Sequence, residues 1–137
     1  MISFKEYLQS NKIAFSAFLI SRSNMPQIKD PNDFSEFLYS VSVKHEFRVV
    51  CPKGFQATQT DKDDSKIKRL MGIIQDKPEE FNKYAPVVVS SDGFVLDGHH
   101  RYFACLYSDV NMNALVVDLT INQLLKIANE YKEFQSG

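Results

Sequence analysis

The sequence predicts a single α+β domain preceded by a helical extension. Its 137 residues are enough for one hydrophobic core and too few for two. Its composition, 44% hydrophobic and 24% charged, is typical of a globular protein that buries a core. Segments with the spacing of amphipathic helices are interspersed with short β-branched runs, which is the pattern of an α+β domain. We place the extension at residues 1–45 and the domain at residues 46–137.

The N-terminal third is predicted to be mainly helical. Ser3 and Glu6 have the spacing of a capping box and predict a short helix that ends near Asn11. Residues 12–20 are apolar without a clear period, so helix and strand cannot be separated there. Asp33 is predicted to cap the next helix. The apolar residues of that helix fall at i, i+3, i+4 and i+7: Phe34, Phe37, Leu38 and Val41.

The middle of the chain predicts a strand, a loop and a helix. Residues 46–51 predict a strand that ends at Pro52, and the turn that follows contains Gly54. Residues 56–61 predict a polar loop. The next helix is capped by Asp63 or Asp64. Its apolar face carries Ile67, Leu70, Met71 and Ile74, and its exposed face carries Lys66, Lys68 and Arg69.

The C-terminal half predicts a hairpin followed by a helix, a strand and a closing helix. Residues 86–90 are the strongest strand candidate, because they are rich in β-branched residues. A turn at residues 91–93 joins them to a second strand at residues 94–96, which makes a hairpin. Residues 99–107 predict a helix and residues 114–119 a strand. Thr120 is predicted to cap the closing helix at residues 121–134.

Composition excludes several classes of protein. The net charge of −1 leaves no overall cationic field that would draw the chain to nucleic acid. Cys51 and Cys105 lie in apolar surroundings without metal-ligand spacing, so we predict two buried, reduced thiols. The apolar runs are too short to span a bilayer, and the N-terminus lacks the pattern of a secretory signal. We therefore expect a cytoplasmic protein that does not cross a membrane.

One junction carries the residues expected to do chemistry. A hydrophobic strand ends at Asp97 and Gly98, and a helix begins at once with His99, His100 and Arg101. Unpaired amides and the positive end of the helix dipole meet there, and such a place binds anions, phosphate in particular. Asp97 could cap the helix, orient a histidine or share a divalent cation with a bound phosphate. Zinc is a poor alternative, because no nearby Cys or His completes a tetrahedral set.

This segment resembles a known family. The sequence from Leu96 to Tyr102, LDGHHRY in one-letter code, is similar to the phosphate-binding motif of the ParB/sulfiredoxin superfamily. Upstream, FQATQTD from Phe55 to Asp61 is similar to the first conserved box of ParB N-terminal domains. The resemblance covers about residues 47–119 and implies a small mixed sheet with flanking helices.

Small ParB-like proteins of tailed bacteriophages resemble the chain most. In them, an N-terminal helical extension with a segment similar to residues 25–28 precedes the domain. A phage-encoded protein of this kind would act in the host bacterial cytoplasm.

The resemblance implies a nucleotide as ligand, ATP, ADP or CTP, and Mg²⁺ as a candidate partner. Members of the superfamily hydrolyse CTP, repair sulfinic acids, phosphorylate free serine or cleave nucleic acid. Sulfiredoxin has its reactive cysteine at the place of His99, so sulfinic-acid repair is not expected here. The serine kinase supplies a catalytic glutamate from its first box, where this chain has the shorter Asp61.

These considerations lead to an enzyme that displaces groups at phosphorus: NTP hydrolysis, phosphotransfer or phosphodiester cleavage. Arg101 and His100 are predicted to hold phosphate oxygens, while Gly98 lets the phosphate approach the backbone. His99 is predicted to orient or protonate a leaving group. Asp97 or Asp61 is predicted to act as base or, for Asp97, as Mg²⁺ ligand. The loop residues expected to reach the nucleotide are Thr58 and Gln59.

Two other functions remain open from the sequence. One is a phage accessory protein that senses a nucleotide without turnover, or that touches DNA through Lys66, Lys68 and Arg69. The other is an inhibitor that sequesters a host factor through the N-terminal extension. The sequence leaves the acceptor, the base and the oligomeric state undecided.

Overall fold

A computed structural model describes residues 26–59 and 62–136 of the chain. The predicted helix at residues 3–11, the ambiguous segment at 12–20 and Asp61 lie outside the described residues. The helices are α1 (Pro31–Ser40), α2 (Asp64–Asp76), α3 (Pro78–Phe81), α4 (His99–Ser108) and α5 (Ile121–Ser136). The strands are β1 (His45–Val50), β2 (Gln56–Ala57), β3 (Val87–Ser90), β4 (Phe94–Asp97) and β5 (Met112–Val117). None of the described helices combines the length and apolar character needed to span a lipid bilayer.

The five strands form one mixed sheet in the order β1-β5-β3-β4-β2. Strand β5 pairs antiparallel with β1 and parallel with β3. The predicted β3–β4 hairpin is confirmed, and β2 runs parallel to β4 on its other side. The α+β class is therefore confirmed. Strand β2 lies within the stretch predicted to be a loop, because two residues are too few to show a pattern.

Both faces of the sheet are covered by helices. Alternation along the strands sends Val88 and Leu96 to one face and Val87 and Val95 to the other. Helices α1 and α5 pack on the first face, and α4 packs on the second. Helix α2 packs on the outside of α4, where Ala104 is buried against it. The α2–α4 pair is thus placed beside the end of β4, where the predicted site lies.

Helix α1 belongs to the core of the domain. Phe34 and Leu38 are fully buried in the same cluster as the strand residue Leu115. The predicted cap was wrong: Asp30, three residues before Asp33, accepts the helix amides, because Pro31 already occupies the first helical position. The Asp33 carboxylate instead accepts a 2.6 Å hydrogen bond from the hydroxyl of Tyr131 in α5. Val41, predicted on the apolar face, is 40% exposed at the end of the helix.

The bounds of strand β5 differ from the prediction. The strand covers Met112–Val117, two residues earlier than predicted, because Met112 pairs with Val50 and Val117 with His45 across the sheet.

One of the two cysteines is buried as predicted. Burial of Cys105 raises the pKa of its thiol to about 11. Cys51 is exposed, so the prediction of its burial was wrong. It lies just beyond strand β1, before the 3₁₀ turn Pro52–Gly54.

The structure resolves which aspartate caps helix α2. Asp63 accepts hydrogen bonds from the amides of Ser65 and Lys66 at 3.0 and 3.2 Å. We expect Asp63→Ala to lower the free energy of unfolding by about 1 kcal/mol, the usual effect of losing such a cap. Asp64→Ala is the matched control, because it removes only a charge near the helix N-terminus and is expected to cost a few tenths of a kcal/mol. Urea denaturation measures both, and equal effects would contradict the assignment of Asp63.

Candidate functional site

The site is built around the junction between β4 and α4. Gly98 lies between them with φ +87°, a left-handed conformation that a side chain would strain. A Cβ atom there would lie 2.7 Å from Nη2 of Arg101 and 3.3 Å from the Cα atom of Val87. The first turn of α4 has no side-chain cap. The sharp strand-to-helix turn predicted from the sequence is therefore present, with the positive end of a helix exposed at its start.

A cavity of about 370 Å³ lies beside this junction. Its size is within the range of small-molecule sites, about 300–1,000 Å³. Five segments line it, namely residues 27–29, Gln59, helix α2, residues 84–85 and residues 96–101. Four of the lining side chains are Lys or Arg cations, and Asp97 is the single carboxylate among the described lining residues. The cations are Lys29, Lys66, Arg69 and Arg101. The cavity therefore favours an anionic ligand.

Arg101 is a largely buried cation that the protein compensates only in part. Its Nε atom is enclosed, and no residue in the described part of the chain accepts a hydrogen bond from it. The ion pairs found among the described residues, Arg48 with Glu46 and Lys53 with Asp109, do not include it. Burial lowers the pKa of its guanidinium, while the Asp97 carboxylate opposes that shift. A buried cation in this state has unmet capacity for an anion.

Asp97 is a largely buried carboxylate beside the Arg101 charge. Burial raises the pKa of its carboxyl group, while the Arg101 charge and the nearby amides of Gly98 and Ile28 act in the opposite direction. The segment before α1 therefore lies close to the junction. Ile28 is itself buried, so Lys29 is held at the cavity wall.

His99 connects α4 to the loop after β2. Its Nε2 atom accepts hydrogen bonds from the amides of Thr58 and Gln59 at 3.1 and 3.2 Å. The ring proton must then be on Nδ1, for which no described residue is a partner. Burial, with a smaller contribution from His100, lowers the pKa of His99 to about 3. The predicted role as proton donor to a leaving group does not fit a ring held neutral, whereas a hydrogen bond from Nδ1 to a phosphate oxygen does.

His100 holds the other end of the same loop. Its Nε2 atom accepts a 3.0 Å hydrogen bond from the amide of Asp63. The side chain also lines the cavity, so the predicted proximity of His100 to a phosphate is retained. The two adjacent histidines thus hold the amides of Thr58, Gln59 and Asp63 against the first turn of α4. The sequence predicted that both rings contact the ligand. It did not predict that they also accept hydrogen bonds from backbone amides before α2.

The predicted loop residues have different positions. Gln59 lines the cavity, as expected of a ligand contact. Thr58 is fully buried and is not among the lining residues, so its predicted contact with the nucleotide is corrected. Its hydroxyl donates a 2.6 Å hydrogen bond to the carbonyl of Val95, which supports the cavity wall from behind. The position of Asp61 is outside the described residues, so its predicted role as base stays a prediction.

Several cavity residues were missed or misassigned. Lys68 and Arg69 are exposed as predicted, whereas Lys66 is half-buried. Lys66 and Arg69 also line the cavity, which was not predicted, and Lys68 does not. The i, i+3 spacing of Lys66 and Arg69 could have indicated a shared site, because it places two cations on one side of a helix. Lys29 and Tyr84 gave no signal, since each reaches the cavity only through the tertiary fold.

No protein family and no curated protein matches the chain.

Proposed function

We propose that the chain binds a nucleotide through its phosphates at the β4–α4 junction and acts on those phosphates as a ParB-like enzyme. The observation that carries this proposal is the largely buried Arg101 guanidinium at the cavity wall, whose Nε atom lacks a hydrogen-bond partner in the described part of the chain. A phosphate oxygen bound beside this group would offset the buried charge.

The rest of the cavity supports a ligand with several negative charges. Lys29, Lys66 and Arg69 add three cations from two further segments, against the single described carboxylate of Asp97. The uncapped first turn of α4 adds amide donors. This arrangement fits a polyphosphate better than a single phosphate, because the positive charge is spread along the wall.

Displacement at phosphorus requires mainly positioning and charge neutralisation, which this set of cations supplies. The remaining lone pairs of the Asp97 carboxylate fit a Mg²⁺ ion shared with the phosphates, since Mg²⁺ is commonly held by one or two carboxylates and the substrate. Such an ion would neutralise charge on the transferred group. The resemblance of residues 96–102 to the ParB/sulfiredoxin motif supports the same proposal, and a ParB/sulfiredoxin-like fold is part of it.

A second candidate is a nucleotide sensor without turnover. One observation favours it: His99 is held neutral with Nε2 engaged, so its ring is poorly suited to proton transfer. A DNA-binding role for α2 has less support, because Lys66 and Arg69 line the cavity, although Lys68 and Arg69 are exposed.

Calorimetric titration with ATP, ADP and CTP, each with and without Mg²⁺, tests the proposal. Binding of at least one nucleotide is expected, and failure of all of them to bind would overturn it. Incubation with radiolabelled nucleotides then separates the enzyme from the sensor, since only the enzyme releases or transfers phosphate. A gel-shift series at rising salt tests the DNA alternative, because contacts to the phosphate backbone weaken steeply with salt.

A further inference from the structure

We propose that Tyr84 stacks on the base of the bound nucleotide and is a specificity-determining residue of the site. The inference rests on the proposed function, because it assigns the base end of the ligand whose phosphates lie at Arg101. It predicts that the cavity recognises a nucleoside polyphosphate rather than an inorganic polyphosphate.

The position of Tyr84 supports this role. It lines the same cavity as the four cations and is the only Phe, Tyr or Trp among the described lining residues. Its side chain is 45% exposed, so a ring face is accessible to a ligand. The loop that carries it is ordered by a 3.1 Å hydrogen bond from its amide to the carbonyl of Phe81.

The surroundings of Tyr84 hold the ring in place. Phe81 meets it edge to face, with ring centroids 5.8 Å apart and an interplanar angle of 81°. Phe81 also packs against the cluster that contains Leu70, which lines the cavity as well. Tyr84, Ala85 and Leu70 therefore form an uncharged part of the wall. A ring fixed in this way loses little conformational entropy when a base stacks on it.

A purely structural role explains Tyr84 poorly. Nearly half of the side chain is outside the core, and its hydroxyl makes no hydrogen bond with the described part of the chain. A cationic wall beside an accessible aromatic ring matches the two ends of a nucleotide, whose charge lies on the phosphates and whose flat apolar surface lies on the base.

The test compares ATP and CTP with inorganic tripolyphosphate, titrated calorimetrically into the full chain. We expect Tyr84→Ala to weaken the binding of at least one nucleotide about tenfold, a typical effect of losing one stacking contact. The affinity for tripolyphosphate is expected to stay within about twofold, because that ligand has no base. Tyr84→Phe keeps the ring and should restore nucleotide affinity.

Tyr39→Ala is the matched control. Tyr39 is also exposed and meets His45 edge to face, but it does not line this cavity, so both affinities should stay unchanged. Unchanged nucleotide binding in Tyr84→Ala, or an equal loss for nucleotide and tripolyphosphate, would overturn the role of Tyr84 while leaving the phosphate site intact. If wild-type protein binds neither ligand, the proposed function fails, and the assignment of Tyr84 fails with it.

Discussion

Replacing Arg101 with methionine is expected to weaken nucleotide binding about ten- to 100-fold, the range for losing a hydrogen bond to a charged group. The same substitution is expected to change the melting temperature little. It relieves the cost of enclosing Nε without a hydrogen-bond partner among the described residues, but it also removes the cation near the largely buried Asp97 carboxylate. Methionine keeps an unbranched apolar side chain at this position. Calorimetry and thermal denaturation of the same preparation measure the two effects.

Lys68→Met is the control for charge alone. Lys68 is on α2 beside two cavity cations but is itself exposed and does not line the cavity, so nucleotide affinity should hardly change. Wild-type affinity in Arg101→Met would remove Arg101 from the phosphate site. A steep fall in its melting temperature would show that the guanidinium stabilises the fold through Asp97, contrary to its description as a cation that is compensated only in part.

His99→Gln is expected to make stability less sensitive to acid. The folded chain keeps His99 neutral down to about pH 3, whereas the unfolded chain protonates it near the ordinary pKa of 6.5. Between these values the unfolded state binds more protons, so the free energy of unfolding falls as pH falls. This single group contributes about 1.4 kcal/mol per pH unit. Glutamine does not titrate, yet its amide oxygen can accept the same two amides.

Urea denaturation of wild-type protein and His99→Gln at neutral and at acidic pH measures this difference. Other groups, Asp97 included, titrate in both proteins and largely cancel in the comparison. His99→Ala separates hydrogen bonding from charge: the amides of Thr58 and Gln59 lose their acceptor, which should cost on the order of 3 kcal/mol relative to His99→Gln at every pH. Parallel pH profiles for wild type and His99→Gln would contradict the description of His99 as a buried neutral ring.

Local signals predicted the junction well. The end of β4, the turn at Gly98 and the start of α4 are all set by neighbouring residues: a β-branched run, a glycine and a polar helix start. Asp63, one of the two predicted candidates, and Thr120 cap their helices, since a cap acts within three residues. The Asp33 cap was wrong, because the sequence offers a second aspartate, Asp30, directly before a proline. Local predictions succeed where the interactions that decide them lie within one turn of the chain.

Features that depend on distant partners could not be predicted. Strand β2 exists because Gln56 and Ala57 pair with Phe94 and Val95, nearly forty positions later. Thr58 is buried for the same reason, since that pairing brings its hydroxyl to the carbonyl of Val95. The approach of residues 27–29 to the cavity depends on the burial of Ile28 and on the carboxylate of Asp97. None of these long-range contacts has a signature in local periodicity or spacing.

The burial of Ile28, Phe34 and Leu38 bears on how the domain can be produced as a shortened fragment. A fragment that starts at Glu46, the boundary predicted from the sequence, would lose these three side chains. The apolar residues that they cover, Leu115 among them, would then be exposed to solvent. Such newly exposed surface promotes self-association. The same truncation would delete Lys29 from the cavity wall. One short stretch of chain therefore both covers part of the core and supplies one of the cavity cations, and any trimmed version has to retain it.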